Sequence, residues 1–509
     1  MYKYSQFWRK VMKKFNFSRL VCLMLVCIMV LPVMTACADT AQESDTTAAA
    51  STTASPSGSE APVETESPYD KDGYLKDSIP DTLKFGNQEV FILHWNDADY
   101  EEFFAERETG EIVNDAIYKR NCNVEERLDV QLKFVGTAGD TNNEAPFANF
   151  LSASIGAGEK AYDIVAAYSY TSGLCAVQNL FADMTEVNHL DFEKPWWPSN
   201  LIEQSTINNK LYFISGDISA NVIYAMYVTF FNKDIMNEFQ LESPYQYVQD
   251  GTWTIEKEFE LSKGIYSDTN GNGVKDVGDR AGTYVYTLHL DPYLWGSNIF
   301  IIDSTDGKFE LSADFMGEKT YGLQQMLKAF FENTDDGIHH TVKSDPHQYF
   351  GQGLALFMPE RCHRAIGFSE TDVDFGVLPV PKYDAEQEGY ITIMGNTFTL
   401  YSLPADVTDP DLSGAVLECM ASESHRTIIP ALYERSFQYR YSKEEVSAQM
   451  FDIAKETVVF DMARIFSNSL GAYKAWQGAI RYPTAWTTTV ETETRMWTNQ
   501  IKKILESFQ

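Results

Sequence analysis

Three short apolar runs separated by helical patterns set the architecture of this chain. Residues 89–95 (EVFILHW) read as a buried strand, and an acidic turn leads to a helix carrying GEIVNDAIY at 110–118. Strand 130–135 (VQLKFV), a helix near 145–157 and strand 163–170 (DIVAAYSY) continue the alternation. Strands separated by helices pair through crossovers, so the pattern predicts a parallel sheet with helices on its faces. Ligands in such sheets sit beyond the carboxyl ends of the strands. Here those ends are His94-Trp95-Asn96-Asp97 and Tyr168-Ser169-Tyr170-Thr171, aromatic and polar together.

A further apolar stretch at 224–231 (YAMYVTFF) runs into Asn232-Lys233-Asp234-Ile235, after which the pattern restarts. Strands are expected at 355–358, 375–380 and 390–401, so the chain leaves one sheet near residue 230 and returns near 400. With 509 residues, two lobes are the expectation. Lobe 1 takes residues 71–230 and about 400–435; lobe 2 takes 231–400 and parts of 436–509. The fold class expected is α/β, two-lobed, with parallel-rich mixed sheets flanked by helices.

The body is 44% hydrophobic and 14% aromatic, which excludes a disordered chain. The N-terminus differs. Residues 1–19 are basic, 20–34 are almost wholly apolar, and Thr35-Ala36 precede Cys37. The apolar run is short for a membrane span, and the three-part pattern resembles a lipoprotein export signal in which Cys37 is lipidated. Residues 38–70, rich in Thr, Ser, Ala, Glu and Pro, read as a disordered tether. The protein is therefore expected on the extracellular face of a bacterial membrane, lipid-anchored.

Removing a signal with six basic and no acidic residues takes the formal net charge from −33 to −39. A chain so acidic repels nucleic acid and anionic lipid. Outside the signal and Cys37 lie Cys122, Cys175, Cys362 and Cys419, widely spaced and without a zinc pattern. They read as buried thiols, with room for one disulfide.

The most specific chemical motif is residues 268–279, DTNGNGVKDVGD. Oxygen side chains at Asp268, Asn270, Asn272, Asp276 and Asp279, with the Val274 carbonyl, follow the spacing of an EF-hand loop, and Gly273 occupies the sharp turn. Calcium takes about six to eight oxygens and suits this set. Strand-like residues follow the loop, so the expected role is a structural Ca2+ site, not an opening sensor.

With these features in hand, the chain resembles the extracellular solute-binding proteins of bacterial ABC importers, in the maltose-binding-protein-like group that serves sugars. The resemblance covers roughly residues 85–509. It rests on TGEIVNDAIYKRNCNVEERLDV, DIVAAYSYTSGLCAVQNLFADM, FFNKDIMNEFQLESPYQYVQDGTWTIEKEFELSK and DFGVLPVPKYDAEQEGY, in that order. It implies a type II periplasmic-binding-protein fold with a hinge, a carbohydrate held between the lobes, and delivery to permease subunits by a monomeric receptor. It also implies ligand contacts at Trp95, Asn96 and Asp97, at Tyr168 and Tyr170, at Asp291, Tyr293 and Trp295, and more loosely around Glu360, Arg361 and His363. Aromatic faces suit the C–H faces of sugar rings, and Asp, Asn and Arg suit hydroxyls.

Core packing is expected of Trp196 and Trp197, and Trp476 and Trp486 are weaker ligand candidates. The sequence holds no GxSxG, HExxH, Walker or Rossmann glycine motif, so an enzyme is not expected. His339-His340 beside Asp335-Asp336 reads as a solvated turn. A peptide or other small-solute cargo, or a sensor role, are the alternative readings.

Overall fold

The computed structural model describes residues 67–98, 100–304, 307–340, 347–438, 445–482 and 484–509, with only the backbone of 434–438 and 445. The export signal, Cys37 and residues 38–66 of the tether lie outside the described residues. Residues 67–70, at the end of the expected tether, are already built in. Tyr69 bridges Leu75, and Asp70 Oδ1 accepts the backbone N–H of Tyr74 at 2.8 Å.

Among the described residues, nine strands form the two main sheets: β1 (Gln88–Trp95), β2 (Val130–Thr137), β3 (Ile164–Tyr168), β4 (Tyr227–Asn232), β5 (Ala281–Tyr286), β6 (Gly337–His340), β7 (Ala355–Arg361), β8 (Phe375–Leu378) and β9 (Thr399–Ser402). The first sheet runs β9-β3-β1-β2, with β1 parallel to β2 and β3, and β9 antiparallel to β3. The second runs β6-β5-β7-β4-β8, where β6, β5 and β7 are parallel and β4 is antiparallel to both neighbours. The chain thus crosses from the first sheet to the second before β4 and returns at β9.

Helix Ile112–Leu128 shows why the first layer forms. Its buried residues Val113, Ala116, Ile117, Val124 and Leu128 recur at helical spacing, Glu111 caps it by accepting the Asn114 N–H, and Asp129 ends it with a left-handed backbone. Arg120, buried on the same face, donates to the carbonyls of Glu102 and Phe103 and so pins the loop after β1.

The segments joining the lobes pack closely. Met226 bridges Met394, and the Gly395 N–H donates to Ala225 O at 2.7 Å. A Cβ on Gly395 would lie 2.7 Å from Arg361 Cδ and 3.0 Å from Ala225 O, so any side chain here would have to displace Arg361 and crowd the Ala225 carbonyl. Gly173 works similarly: its helix, Ser169–Val177, lies so close to Ile465 that a Cβ would meet the Ile465 carbonyl oxygen at 2.2 Å.

Further expectations are corrected. Residues 390–401 are not one strand: Thr392–Ile393 pairs with Val458–Val459, and only Thr399–Ser402 joins the first sheet, because the chain bends through Gly395 between them. His339 and His340 are not a solvated turn. They end β6, hydrogen-bonded beside Val285 and Tyr286, and His340 is buried. All four cysteines, Cys122, Cys175, Cys362 and Cys419, are free thiols. Among the described residues no helix is long and apolar enough to cross a membrane.

Candidate functional site

Residues from both sheets and from the C-terminal helices meet around Arg464. This side chain sits in the short helix Met462–Ile465, and its guanidinium donates to Asp291 Oδ2 at 2.7 Å and to Asn396 Oδ1 at 2.6 Å. Asp291 opens the helix Asp291–Gly296, with Pro292 in its first turn where no N–H is needed. Its second oxygen accepts from Gln477 at 2.7 Å. Burial pushes the Asp291 carboxyl up, while Arg464 and Gln477 oppose that push. For Arg464, burial works against the charge, yet Asp291 followed by Tyr170, Tyr227 and Tyr473 hold the guanidinium firmly protonated.

Aromatic rings surround the pair. Arg464 lies 4.7 Å over Trp295 and 5.3 Å over Tyr473. Tyr170 and Tyr473 share a hydroxyl hydrogen bond of 2.7 Å, and ring contacts continue from Tyr170 to Tyr168 and on to Trp95. The Trp95 indole donates to Thr399 Oγ1 at 2.8 Å, and that hydroxyl donates to the buried carboxylate of Glu102. The Tyr168 hydroxyl is pushed well above its ordinary value, by burial first and then by Tyr473 and Glu144, with Arg464 and Arg361 pulling the other way. The Trp295 indole donates to Asp461 at 2.8 Å, which also caps the helix bearing Arg464.

The structure therefore gathers Trp95, Tyr168, Tyr170, Asp291 and Trp295 into one network. It sets the other expected residues apart. Asp97 caps the turn after β2, accepting the N–H groups of Gly139 and Asp140 and the Asn143 amide. Asn96 is exposed just beyond β1. The Tyr293 hydroxyl turns into lobe 2, donating to Glu258 Oε1 at 2.7 Å. Glu258 is fully buried, its Oε2 has no partner, and burial pushes the carboxyl up to about 7.

Arg361 closes β7. Its Nε donates to Glu360 Oε1 at 3.0 Å. The Tyr286 N–H donates to His289 Nδ1, which leaves His289 Nε2 to donate to Glu360 Oε2 at 2.9 Å, with His347 Nδ1 3.1 Å from the same oxygen. Burial would raise Glu360, but Arg361, His289 and His347 outweigh it and hold the carboxyl well below the usual range. His363 is buried, its Nδ1 3.2 Å from Tyr224 O and its ring 5.4 Å from Tyr100.

Trp196 and Trp197 both donate their indole N–H to Glu418, at 3.1 and 2.8 Å. Trp476 and Trp486 are buried, donating to the carbonyls of Leu290 and Phe315.

Arg464, Tyr473, Asn396 and Gln477 were not singled out from sequence. The one local signal was an arginine inside the apolar run DMARIF, where a buried, paired cation is the simplest explanation.

In the loop 268–279, Asp268 accepts the N–H groups of Gly271, Asn272 and Gly273, while the Asn270 and Asn272 amides donate to Asp276 at 2.7 Å each. Gly271 and Gly273 take positive φ of 72° and 76°. Asp279 is buried, accepting from the Thr269 and Asp276 N–H groups and the Tyr266 hydroxyl. Among the described residues no group of three His, Cys, Asp or Glu side chains is arranged to hold a metal ion.

The sequence matches no protein-family model and no curated protein. Solved structures do match. The cyclic α-maltosyl-1,6-maltose-binding protein of Arthrobacter globiformis superposes with a TM-score of 0.57 at 14% identity, covering 82% of this chain and 100% of its own. A substrate-binding protein of Listeria monocytogenes, solved with cycloalternan, gives 0.52 at 12% identity over 83% of this chain and 99% of its own. A Mycobacterium tuberculosis protein solved with glycerophosphocholine gives 0.50 at 12% identity over 83% and 99%. The chain has the two-lobed α/β fold of the type II solute-binding proteins.

Proposed function

We propose that this chain is an extracellular receptor that captures a carbohydrate, of oligosaccharide size, between its lobes and delivers it to the permease of an ABC importer. The observation that carries this reading is the meeting of Tyr168 and Tyr170 from the first lobe, Asp291 and Trp295 from the second, and Arg464 and Tyr473 from the C-terminal helices. Three sources of side chain at one junction make their packing depend on how the lobes are set. A ligand that bridges them therefore changes the lobe equilibrium through its preference for one setting. Next to these buried rings, exposed Asn96 and partly exposed Arg361 and Asn396 offer polar groups of the kind a sugar needs. Two structural neighbours were solved or named with cyclic oligosaccharides, which supports the cargo class.

Lipidation of Cys37 would hold the receptor at the membrane beside its permease. The loop 268–279 would bind Ca2+ through Asp268, Asn270, Asn272, the Val274 carbonyl, Asp276 and Asp279, fixing one end of lobe 2. The neighbour solved with glycerophosphocholine favours one second reading, a small polar non-sugar solute in the same place.

A thermal-shift panel of linear and cyclic saccharides, glycerophosphodiesters and mixed peptides tests the cargo, because a bound ligand stabilises the folded state by mass action. A rise with a saccharide supports the sugar reading. A rise only with a glycerophosphodiester or with peptides would overturn it.

A further inference from the structure

Lobe 2 holds a cavity of about 460 Å3 that none of the network around Arg464 lines. Its walls come from the strand β6, the end of the loop 268–279, the helix Glu318–Asn333 and the end of the helix Ala472–Arg481. Small-molecule sites run from roughly 300 to 1,000 Å3, so the space suits a compact ligand.

The charge of this cavity reverses that of the molecule. The chain has 73 acidic against 40 basic residues, yet the cavity wall has three permanent cations, Lys275, Lys328 and Arg481, to two carboxylates, Asp276 and Glu332. Both carboxylates are engaged. Asp276 accepts the two amides of Asn270 and Asn272, and Glu332 lies 3.6 Å from Lys328.

The cations differ in what they have left to give. Lys275 spends its ammonium on the carbonyls of Phe331, Thr334 and Gly337, which ties the loop to the end of a helix. Lys328 donates to Tyr482 O at 2.7 Å. Arg481 is exposed, lies 5.4 Å over the Tyr482 ring, and makes no hydrogen bond among the described residues. Beside it His339 has a buried Nε2 with no partner. Burial, and after it Arg481, push His339 down to about 4, so the ring is neutral at pH 7 and adds no charge. Phe331, Ile338 and Ile480 give the remaining wall an apolar surface.

We propose that this cavity binds a small organic anion, its carboxylate or phosphate facing Arg481 and the His339 ring, its apolar body resting on Phe331, Ile338 and Ile480. A guanidinium fork without a partner is suited to a planar or tetrahedral anion, and a buried unpaired ring nitrogen gains a hydrogen bond from the same group. The site is separate from the interlobe network, so it stands whether or not a sugar is the cargo.

Isothermal titration calorimetry of the purified chain with phenyl phosphate, benzoate and uncharged benzyl alcohol tests it, in calcium-free buffer. At least one of the two anions is expected to bind one site, and benzyl alcohol to give no heat. Arg481→Gln should weaken the anion by about tenfold or more, the size of a charge-assisted hydrogen bond, and Arg481→Glu should abolish binding. Arg481 is exposed, so both variants should melt like the parent without anion. Tighter binding of phenyl phosphate marks a phosphate site, and tighter binding of benzoate a carboxylate site. If neither anion binds the parent, or Arg481→Glu binds as tightly as the parent, the proposal fails.

Discussion

Arg464 and Asp291 form an ion pair of 2.7 Å with side-chain exposures of 5% and 0%. The two residues are 173 positions apart, and the pair joins the C-terminal helices to lobe 2 while Asn396 ties the same guanidinium to the segment returning to lobe 1. Removing one partner of such a pair leaves a charge stranded without water. Arg464→Met is therefore expected to destabilise by about 3–5 kcal/mol in urea unfolding. The double variant Arg464→Met with Asp291→Asn, which strands no charge, should recover part of that loss. Equal losses in the single and double variants would show that the charge itself contributes little.

Glu258 supplies a pH dependence with a definite sign. Its folded value, about 7, lies above the ordinary 4.5, so the folded state holds this proton more tightly than the unfolded chain. The contribution is fully present below pH 4.5 and is lost as pH rises through 7. The shift corresponds to about 3 kcal/mol at most. Glu258→Gln keeps the acceptor for Tyr293 and removes the titration. Between pH 4.5 and 7.5 the stability of the parent should fall relative to that of the variant, read as urea midpoints across pH. A constant difference would contradict it.

Glu418 accepts the indole N–H groups of both Trp196 and Trp197. Glu418→Ala leaves two buried donors unpaired, each worth about 1–3 kcal/mol, so a loss of about 2–6 kcal/mol is expected. Near-ultraviolet circular dichroism should change with it, because both indoles lose their fixed environment. An unchanged spectrum would place the indole order in packing alone.

Much of the framework could be read from local pattern, for reasons visible in particular elements. The strands β1 and β2 are apolar runs bounded by turn residues, and their periodicity needs no distant information. The strand expected at 163–170 ends at Tyr168, because Ser169 and Tyr170 already begin a helix whose Gly173 packs against Ile465, some 290 residues away. The bend around Gly395 is not legible locally either, since the groups that crowd this position, Arg361 and Ala225, come from elsewhere in the chain. At the candidate site, Trp95, Tyr168, Tyr170, Asp291 and Trp295 carry local signals as aromatics or acids near strand ends and a helix start. Their organiser, Arg464, carries almost none, because its significance lies in partners drawn from both lobes. The same holds for Tyr293, whose destination is set by Glu258 and not by its neighbours in Asp291–Gly296.

For the loop 268–279, Ca2+ should raise the melting temperature and chelation should lower it. Asp276→Ala, which removes a half-buried oxygen ligand and leaves the buried Asp279 in place, should abolish that response. A melting temperature indifferent to both calcium and chelator would show that the loop closes on its own hydrogen bonds.

The measurement that bears most directly on the central claim is isothermal titration calorimetry of linear and cyclic oligosaccharides against the parent and against Arg361→Ala and Asn96→Ala. At least one saccharide should bind one site on the parent, and at least one of the two variants should bind it about tenfold more weakly, the loss of a ligand hydrogen bond. If no saccharide binds the parent, or binding is unchanged in both variants, the carbohydrate does not sit between the lobes as proposed.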